Sequence, residues 1–563
     1  MDQAFNVIHT RATPWIGLCC ILVLYILAVF QYHPPDLFGR TQDDSLYFAS
    51  AKALANHQGY ILPSVPGQPL AAKYPILFPW VLSWVWRWNP SFPSNLTEAV
   101  GVVVAFGVAF IVCCFLYLRR LKGIGDLAAI MLTFFIALHP VLLFYSANVL
   151  SDVPFTALAV AAMLLADEAM RPGAKSPITA ACAVLTGLSI LMRSFGVPIA
   201  AGILAAALAR RAWRQIIIFC AVLVPFGLES VARWFQAPPM MTPVPGAAPL
   251  GPGFARTWTY YTSYLGFWKL SVPNAHIFWA MLKNNAVVVF LSPSDFFLAP
   301  LLKSNHLLSS FLMLIVTFGI FSGLVRQWKD SPWNSIHCAF LFYASLTLIW
   351  NYPNTSRFFF LFLPVFAGAL WDETKHFLKL LYATATNNST RSQKALAGLF
   401  AFGVFALLCG GIANYVRGAR EMMKEIIVDR SHLLGEKREA YNWLSCCTSR
   451  EDRVVAYEDV TLYLYSGRQG MRPVVFPTSG EFDEQYTREA LGEMTDVAHA
   501  IGARYWLVAS DDFSLEWDIA ASMGLAKEME LTRDLPVAFQ SPGGHIRIYN
   551  IGCEGRPDAG PCP

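Results

Sequence analysis

The strongest constraint on this chain is a succession of long apolar segments set apart by short polar ones. AVGVVVAFGVAFIVCCFLYL, residues 99–118, carries no charged side chain. A bilayer core takes roughly 20 such residues per helix. On that measure candidate spans fall at 14–31, 97–118, 127–149, 153–168, 177–192, 195–209, 213–234, 307–325, 335–350, 357–371 and 395–415, about eleven in all. The runs at 153–168, 195–209 and 357–371 are short for a full crossing. Only 14% of the 563 residues are charged, against about one-quarter in soluble chains, and the mean hydropathy is +0.44. These values predict a polytopic α-helical membrane protein. A net charge of +4 and the lack of a Lys/Arg block give nucleic acid no foothold.

The placement of basic residues gives an orientation. With the N-terminus inside and the first run read as an uncleaved anchor, the inner connections hold Arg119, Arg120 and Lys122, then Arg171 and Lys175, then Arg210, Arg211 and Arg214. Arg326 and Lys329 follow, and finally Lys375, Lys379, Arg391 and Lys394. Every inner loop is basic, as the positive-inside rule requires. The chain then divides into a transmembrane domain, 1–415, with outer loops at 32–96 and 235–306, and an extracytoplasmic domain, 416–563. This predicts a multi-pass protein of the inner (plasma) membrane. Within the first loop, YPILFPWVLSWVWRW (74–88) reads as a helix at the interface, on account of its tryptophans. His139-Pro140 predicts a kink inside the third span.

The tail has a different character. Residues 453–457, 472–476, 504–510 and 545–551 are short β-branched or aromatic runs that read as strands, and 488–503 has helical apolar spacing. The alternation predicts a small α/β domain on the outer face. Eight cysteines lie in apolar runs, where a thiol acts as a small hydrophobe. Cys446, Cys447, Cys553 and Cys562 lie in the tail, where an oxidising compartment would allow one or two disulfides.

Ionisable groups gather at the outer mouths of the spans. RTQDDSLYFASAKAL (40–54) puts Asp43 and Asp44 just beyond the first span, at the start of a helical pattern. A carboxylate there can simply cap a helix. Lys73 and Tyr74 stand where the chain re-enters the interface, Asp152 and Arg357 at two further mouths, and Arg193 in an outer turn. Singly, each has a bland reading as a cap or a snorkelling side chain. Jointly they hold both signs of charge at membrane depth in one leaflet, where ionisable groups are costly and functional. A carboxylate can act as general base toward a hydroxyl, and Arg and Lys can hold a phosphate. That combination fits attack of an acceptor hydroxyl on a sugar carbon whose leaving group is a phosphate. On the outer face the donor would be a polyprenyl-phosphate sugar. The aromatics Trp258, Tyr260, Tyr261, Tyr264 and Trp268 fit either stacking on a sugar or an interface belt.

Several ordered motifs over 10–371 resemble the GT-C superfamily of integral-membrane glycosyltransferases, in the branch of protein O-mannosyltransferases and lipid A aminoarabinose transferases. Asp43-Asp44-Ser45-Leu46-Tyr47 is similar to that branch's Asp-Asp/Glu-x-x-Tyr motif, and KYPILFPWVLS to its Lys/Tyr-Pro-Pro-Leu segment, with Ile76 in place of the second proline. YSANVLSDVPFTAL resembles an acidic motif opening a later span. ILMRSFGVPIAAGIL resembles the Thr-Arg/Lys-Pro-x-Gly turn, with Ser194 replacing the proline, and SRFFFLFLPVF resembles Arg-Tyr-x-x-x-x-x-Pro.

The resemblance implies a GT-C membrane domain and an inverting transfer with Asp43 as base, assisted or oriented by Asp44. Lys73 and Arg357, with Arg193, would contact the donor phosphate. Tyr74 and Asp152 would complete the substrate site. The partners implied are the polyprenyl-phosphate sugar, a glycan, lipid or protein acceptor, and membrane lipids. No cofactor is required; some members use a divalent metal, which Asp43, Asp152 and His276 could approach, although no spacing demonstrates a site. The rival readings are a transporter or flippase of a lipid-linked or anionic solute, for which buried mid-span charges and related halves are missing, and a non-catalytic scaffold.

Overall fold

The computed structural model describes residues 2–31, 38–39, 41–235, 241, 250–298, 306–352, 356–386 and 433–552. The first part is a helical bundle. Thr13–Gln31, Leu96–Arg120, Trp213–Arg233 and Ser310–Asp330 are long and apolar enough to cross a bilayer. Asp126–Ala137 and Pro140–Ser146 together pass the same test, bent by 53° at the break. The bend falls at the expected His139-Pro140, where Pro140 cannot donate to the helical ladder. His139 uses the gap to bond the Phe296 carbonyl at 2.8 Å. Asp152–Ala169, Ser176–Met192, Gly196–Ala209, Ser335–Leu348 and Leu363–Thr386 complete the bundle. The segment expected as a span from 357 begins as a 3-10 turn, Ser356–Phe362, before its α-helix. The span at 395–415 lies outside the described residues.

Charge separates the two ends of the bundle. At one end Arg210 pairs with Asp167 at 2.8 Å and donates to the Trp333 carbonyl. The Ser335 N–H also donates to Asp167, and Lys375 reaches the Gly123 carbonyl. The connections predicted to be inner are therefore brought together. Trp213–Phe235 leaves from this end and His306–Asp330 returns to it, so the chain between them starts and finishes at the other. That stretch, read as an outer loop, is largely helical: Pro252–Thr262, Tyr264–Ser271 and Ala275–Leu298. Ala275–Leu298 is apolar enough to cross, with mean hydropathy 1.2, but by this parity it makes no net crossing. Leu77–Trp88 is amphipathic as expected, with Trp80, Trp84 and Trp88 exposed along one side.

The tail domain follows, with helix at 433–447 and five strands: β1 Val454–Ala456, β2 Gly470–Met471, β3 Tyr505–Ala509, β4 Val537–Gln540 and β5 Ile546–Asn550. Their order is β2-β1-β3-β5-β4, parallel in the first three and antiparallel toward β4. Three of the four expected strands are present. The fourth is displaced: 472–476 is buried but unpaired, and the ladder runs instead through Gly470–Met471. The expected helix at 488–503 is broken into Glu484–Gly492 and Asp496–Ile501. At the break Asp496 accepts from the Gly253 N–H at 2.9 Å and Glu493 pairs with Arg256. The first turn of the Pro252–Thr262 helix thus receives the carboxylate that its free N–H groups favour. Cys447 is disulfide-bonded and its neighbour Cys446 is free; Cys553 and Cys562 lie outside the described residues. Asn95, which opens a glycosylation-type sequon, is fully buried.

Close helix packing in the bundle depends on small residues. A Cβ placed on Gly202 would lie 2.3 Å from Ala339 Cα, so Gly196–Ala209 and Ser335–Leu348 touch backbone to backbone. Gly202→Val is expected to lower stability in detergent by about 1–3 kcal/mol or more, read as a lower thermal midpoint. An unchanged midpoint would mean that the two helices separate freely.

Candidate active site

The site forms at the end of the bundle opposite the basic loops. Asp43 and Asp44 open the Asp43–Ala55 helix, but neither caps it: the cap position is Gln42, with no side-chain cap bond. Asp44 is fully buried and turned toward the preceding loop. Its Oδ2 accepts from the Gly39 N–H at 2.9 Å and its Oδ1 from the Ser45 N–H at 2.8 Å. Asp43 faces the other way. Its Oδ1 accepts from the Tyr74 hydroxyl at 2.8 Å, and its Oδ2 lies 3.4 Å from Arg357 Nη2. The Asp43 side chain remains 23% exposed, so an outside molecule can reach it.

Arg357 joins two carboxylates. Its Nε and Nη2 form a fork on Asp152, each bond 2.7 Å long, a geometry that adds direction as well as strength. Arg193 Nη1 lies 2.6 Å from the same Asp152. Asp152 opens its helix, and Arg193 ends Ser176–Met192 in extended backbone. The turn after Arg193 is tight: a Cβ on Gly196 would fall 2.5 Å from the Ile190 nitrogen. Two guanidiniums and two carboxylates are thus brought together from four separate segments.

Lys73 is only 3% exposed. Its Nζ sits 3.5 Å from the centroid of Tyr260, with Tyr74, Tyr264 and Tyr352 at 5.3, 5.6 and 5.4 Å. Among the described residues no carboxylate bonds it. Burial pushes its pKa down to about 7, Asp43 opposes that shift, and Arg472 of the tail domain adds to it. Cation–π contacts give about 0.5–2 kcal/mol each, less than the cost of stripping water from an ammonium. Lys73 is thus a buried amine with no anion beside it among the described residues.

The tail domain closes over this site. Asp459, fully buried, accepts from the Tyr261 hydroxyl at 2.8 Å and from Gln42 Nε2 at 3.3 Å. Burial pushes its carboxyl up to about 7, with Arg472 pulling the other way. Arg472 stacks over Tyr457 at 4.0 Å and donates to that residue's carbonyl. Of the aromatic cluster, Tyr260 and Tyr264 face Lys73, whereas Tyr261 bonds the tail domain and Trp268 bonds the Ile349 carbonyl. Gln42, Tyr352, Asp459 and Arg472 had no signal in the sequence.

Asp43, Asp152 and His276, the candidate metal ligands, are not gathered at one point among the described residues. His276 is exposed at the start of Ala275–Leu298, with no contact to Asp43 or Asp152. Asp43 and Asp152 share Arg357, whose guanidinium fills the place between them. Among the described residues no group of three or more His, Cys, Asp or Glu is arranged to hold an ion.

The fold is that of the polytopic GT-C membrane proteins. Solved structures carry the likeness over nearly the whole chain. ArnT from Cupriavidus metallidurans, bound to undecaprenyl phosphate, aligns over 96% of this chain and 98% of its own at TM-score 0.50 and 12% identity. The oligosaccharyltransferase AglB from Archaeoglobus fulgidus, in complex with an inhibitory peptide and dolichol-phosphate, aligns over 95% of this chain and 74% of its own at TM-score 0.51 and 14% identity. An Archaeoglobus fulgidus oligosaccharyltransferase in complex with zinc and sulfate aligns over 94% of this chain and 73% of its own at TM-score 0.52 and 15% identity. No protein-family model and no curated protein matches the sequence.

The Asp152 cluster predicts its own mutational cost. Asp152→Asn leaves Arg193 without its carboxylate and Arg357 with only the distant Asp43. The expected loss is about 3–5 kcal/mol, the cost of breaking a buried pair, measured by thermal unfolding in detergent. An effect under about 1 kcal/mol, typical of exposed pairs, would mean that water already screens the cluster.

Proposed function

We propose that this chain is a glycosyltransferase that moves a sugar from a polyprenyl-phosphate donor to a hydroxyl acceptor on the extracytoplasmic face. The observation that carries the reading is the adjacency of a reachable carboxylate, Asp43, to a buried lysine that lacks an anion. The GT-C fold, seen in proteins solved with undecaprenyl phosphate and dolichol-phosphate, supports the same class of donor. Sidedness is supported by the gathering of basic loops at the far end of the bundle and by the disulfide at Cys447, a bond of oxidising compartments.

In this reading Asp43 is the general base. Tyr74 and Arg357 hold its oxygens on one side, leaving lone pairs for the acceptor O–H. Asp44 has no such freedom, because its oxygens are taken by the loop it folds; it orients the helix start. The acceptor oxygen attacks the anomeric carbon as its proton passes to Asp43, and the bond to the donor phosphate breaks with inversion. The departing phosphate gains a negative charge, which Lys73 and Arg357 stabilise and Arg193 supports through Asp152. No separate acid is needed for such a leaving group. The sugar and the acceptor are set by surfaces that these residues do not define.

Two outcomes test this. Asp43→Asn should retain undecaprenyl-phosphate binding but lower transfer by at least about 10²-fold, the lower range of general-base contributions; transfer near the native rate would remove Asp43 from the role. Donor phosphate pairs with protonated Lys73, so binding should take up a proton near neutrality. Affinity should fall as pH rises through about 7, and Lys73→Arg should flatten that dependence. A pH-independent affinity in the native protein would detach Lys73 from the phosphate.

A further inference from the structure

We propose that the tail domain is a working part of this site: Asp459 fixes Gln42, and Gln42 sets the position of Asp43. The proposal rests on the reading of Asp43 as the base and adds positioning residues to it. Gln42 immediately precedes Asp43 and has φ +58° and ψ −38°, a conformation that residues with a side chain rarely adopt. Such backbone persists where its surroundings over-determine it, and it gathers at functional sites.

The surroundings do so here from two distant segments. Gln42 Nε2 donates to the Tyr261 hydroxyl and to Asp459 Oδ1, both at 3.3 Å, and its Oε1 accepts from the Tyr260 hydroxyl at 3.0 Å. The Tyr261 hydroxyl itself donates to Asp459 Oδ2 at 2.8 Å. The only amide in the network is therefore held at both ends, and its carboxylate anchor lies 417 residues away in sequence. Two further contacts tie the same loop to the same domain. Ser45 Oγ is 2.8 Å from Thr461 Oγ1, and Thr461 packs so closely on Gly39 that an added Cβ would fall 2.4 Å from its oxygen.

One network thus reaches both halves of the proposed chemistry. Through the backbone it fixes the start of the helix that carries Asp43; through Tyr260 it holds the ring nearest Lys73. A domain that only covered the site would not need to bond the residue before the base. Small displacements of a reacting group cost large factors in rate, so the network's influence should be read in turnover more than in affinity.

The test uses the full chain in nanodiscs. Turnover is followed as polyprenyl phosphate released from the lipid-linked sugars of the source membranes, and affinity with undecaprenyl phosphate as probe. Asp459→Ala and Gln42→Gly should each lower turnover about 10²-fold. Undecaprenyl-phosphate affinity should stay within about threefold, a loss confined to the transition state. Asp459→Asn, which keeps an acceptor for both partners, should restore turnover to within about tenfold of native. Glycine accommodates the backbone at position 42, so Gln42→Gly decides the matter if Asp459→Ala fails to fold. Native turnover in folded Gln42→Gly overturns the proposal, as does an equal loss of affinity and turnover. Asp43→Asn is measured alongside: if it is inactive while Gln42→Gly is native-like, the positioning role fails and the base stands, whereas an active Asp43→Asn fails the base itself.

Discussion

Everything at the site end of the bundle depends on how Asp152 is neutralised. A carboxylate at the mouth of a membrane helix is stable only when paired and hydrogen-bonded, and Asp152 is answered by two guanidiniums, one of them as a fork. The pairing determines where Arg357 can point. With Nε and Nη2 forked on Asp152, the same Nη2 also faces Asp43, at 3.4 Å. The start of the Asp43–Ala55 helix, the Arg193 turn and the 3-10 turn at Arg357 are thereby held in one place although they are far apart in sequence.

Against that balanced cluster Lys73 is unbalanced. Four tyrosines surround it without bonding a counter-charge, and Arg472 adds like charge from the tail domain. A site that keeps an ammonium dry and unpaired is prepared for an anion, at the price of a lowered pKa in its absence. Arg357, paired, orients the base and lends its charge to the phosphate, and Lys73, unpaired, awaits it. This division of labour is what the proposed transfer needs: charge stabilisation that appears where the leaving group develops.

Much of the fold was legible because its signals are strong. Long apolar runs and basic connections predict spans and their direction, and His139-Pro140 marks a bend. Asp43, Asp152, Arg193 and Arg357 were legible because a charge near a bilayer needs a reason. Other features left no trace in local sequence. Gln42 and Asp459 are ordinary polar residues, and what joins them is a contact across 417 positions. Tyr352 reaches Lys73 from a segment far away in sequence, which local pattern does not show. The strand expected at 472–476 is a buried apolar run without ladder partners, which local pattern cannot separate from a strand. The helix expected at 488–503 breaks where a second helix docks on Asp496, a tertiary demand that overrides local periodicity.

The most direct measurement is an experimental structure of the full chain in a lipid nanodisc with a polyprenyl phosphate bound. The phosphate is expected within hydrogen-bonding reach of Lys73 Nζ and Arg357, about 3 Å from each, with Asp43 across from it and open to solvent. A phosphate held elsewhere, with Lys73 still enclosed by its four tyrosines, would contradict that expectation.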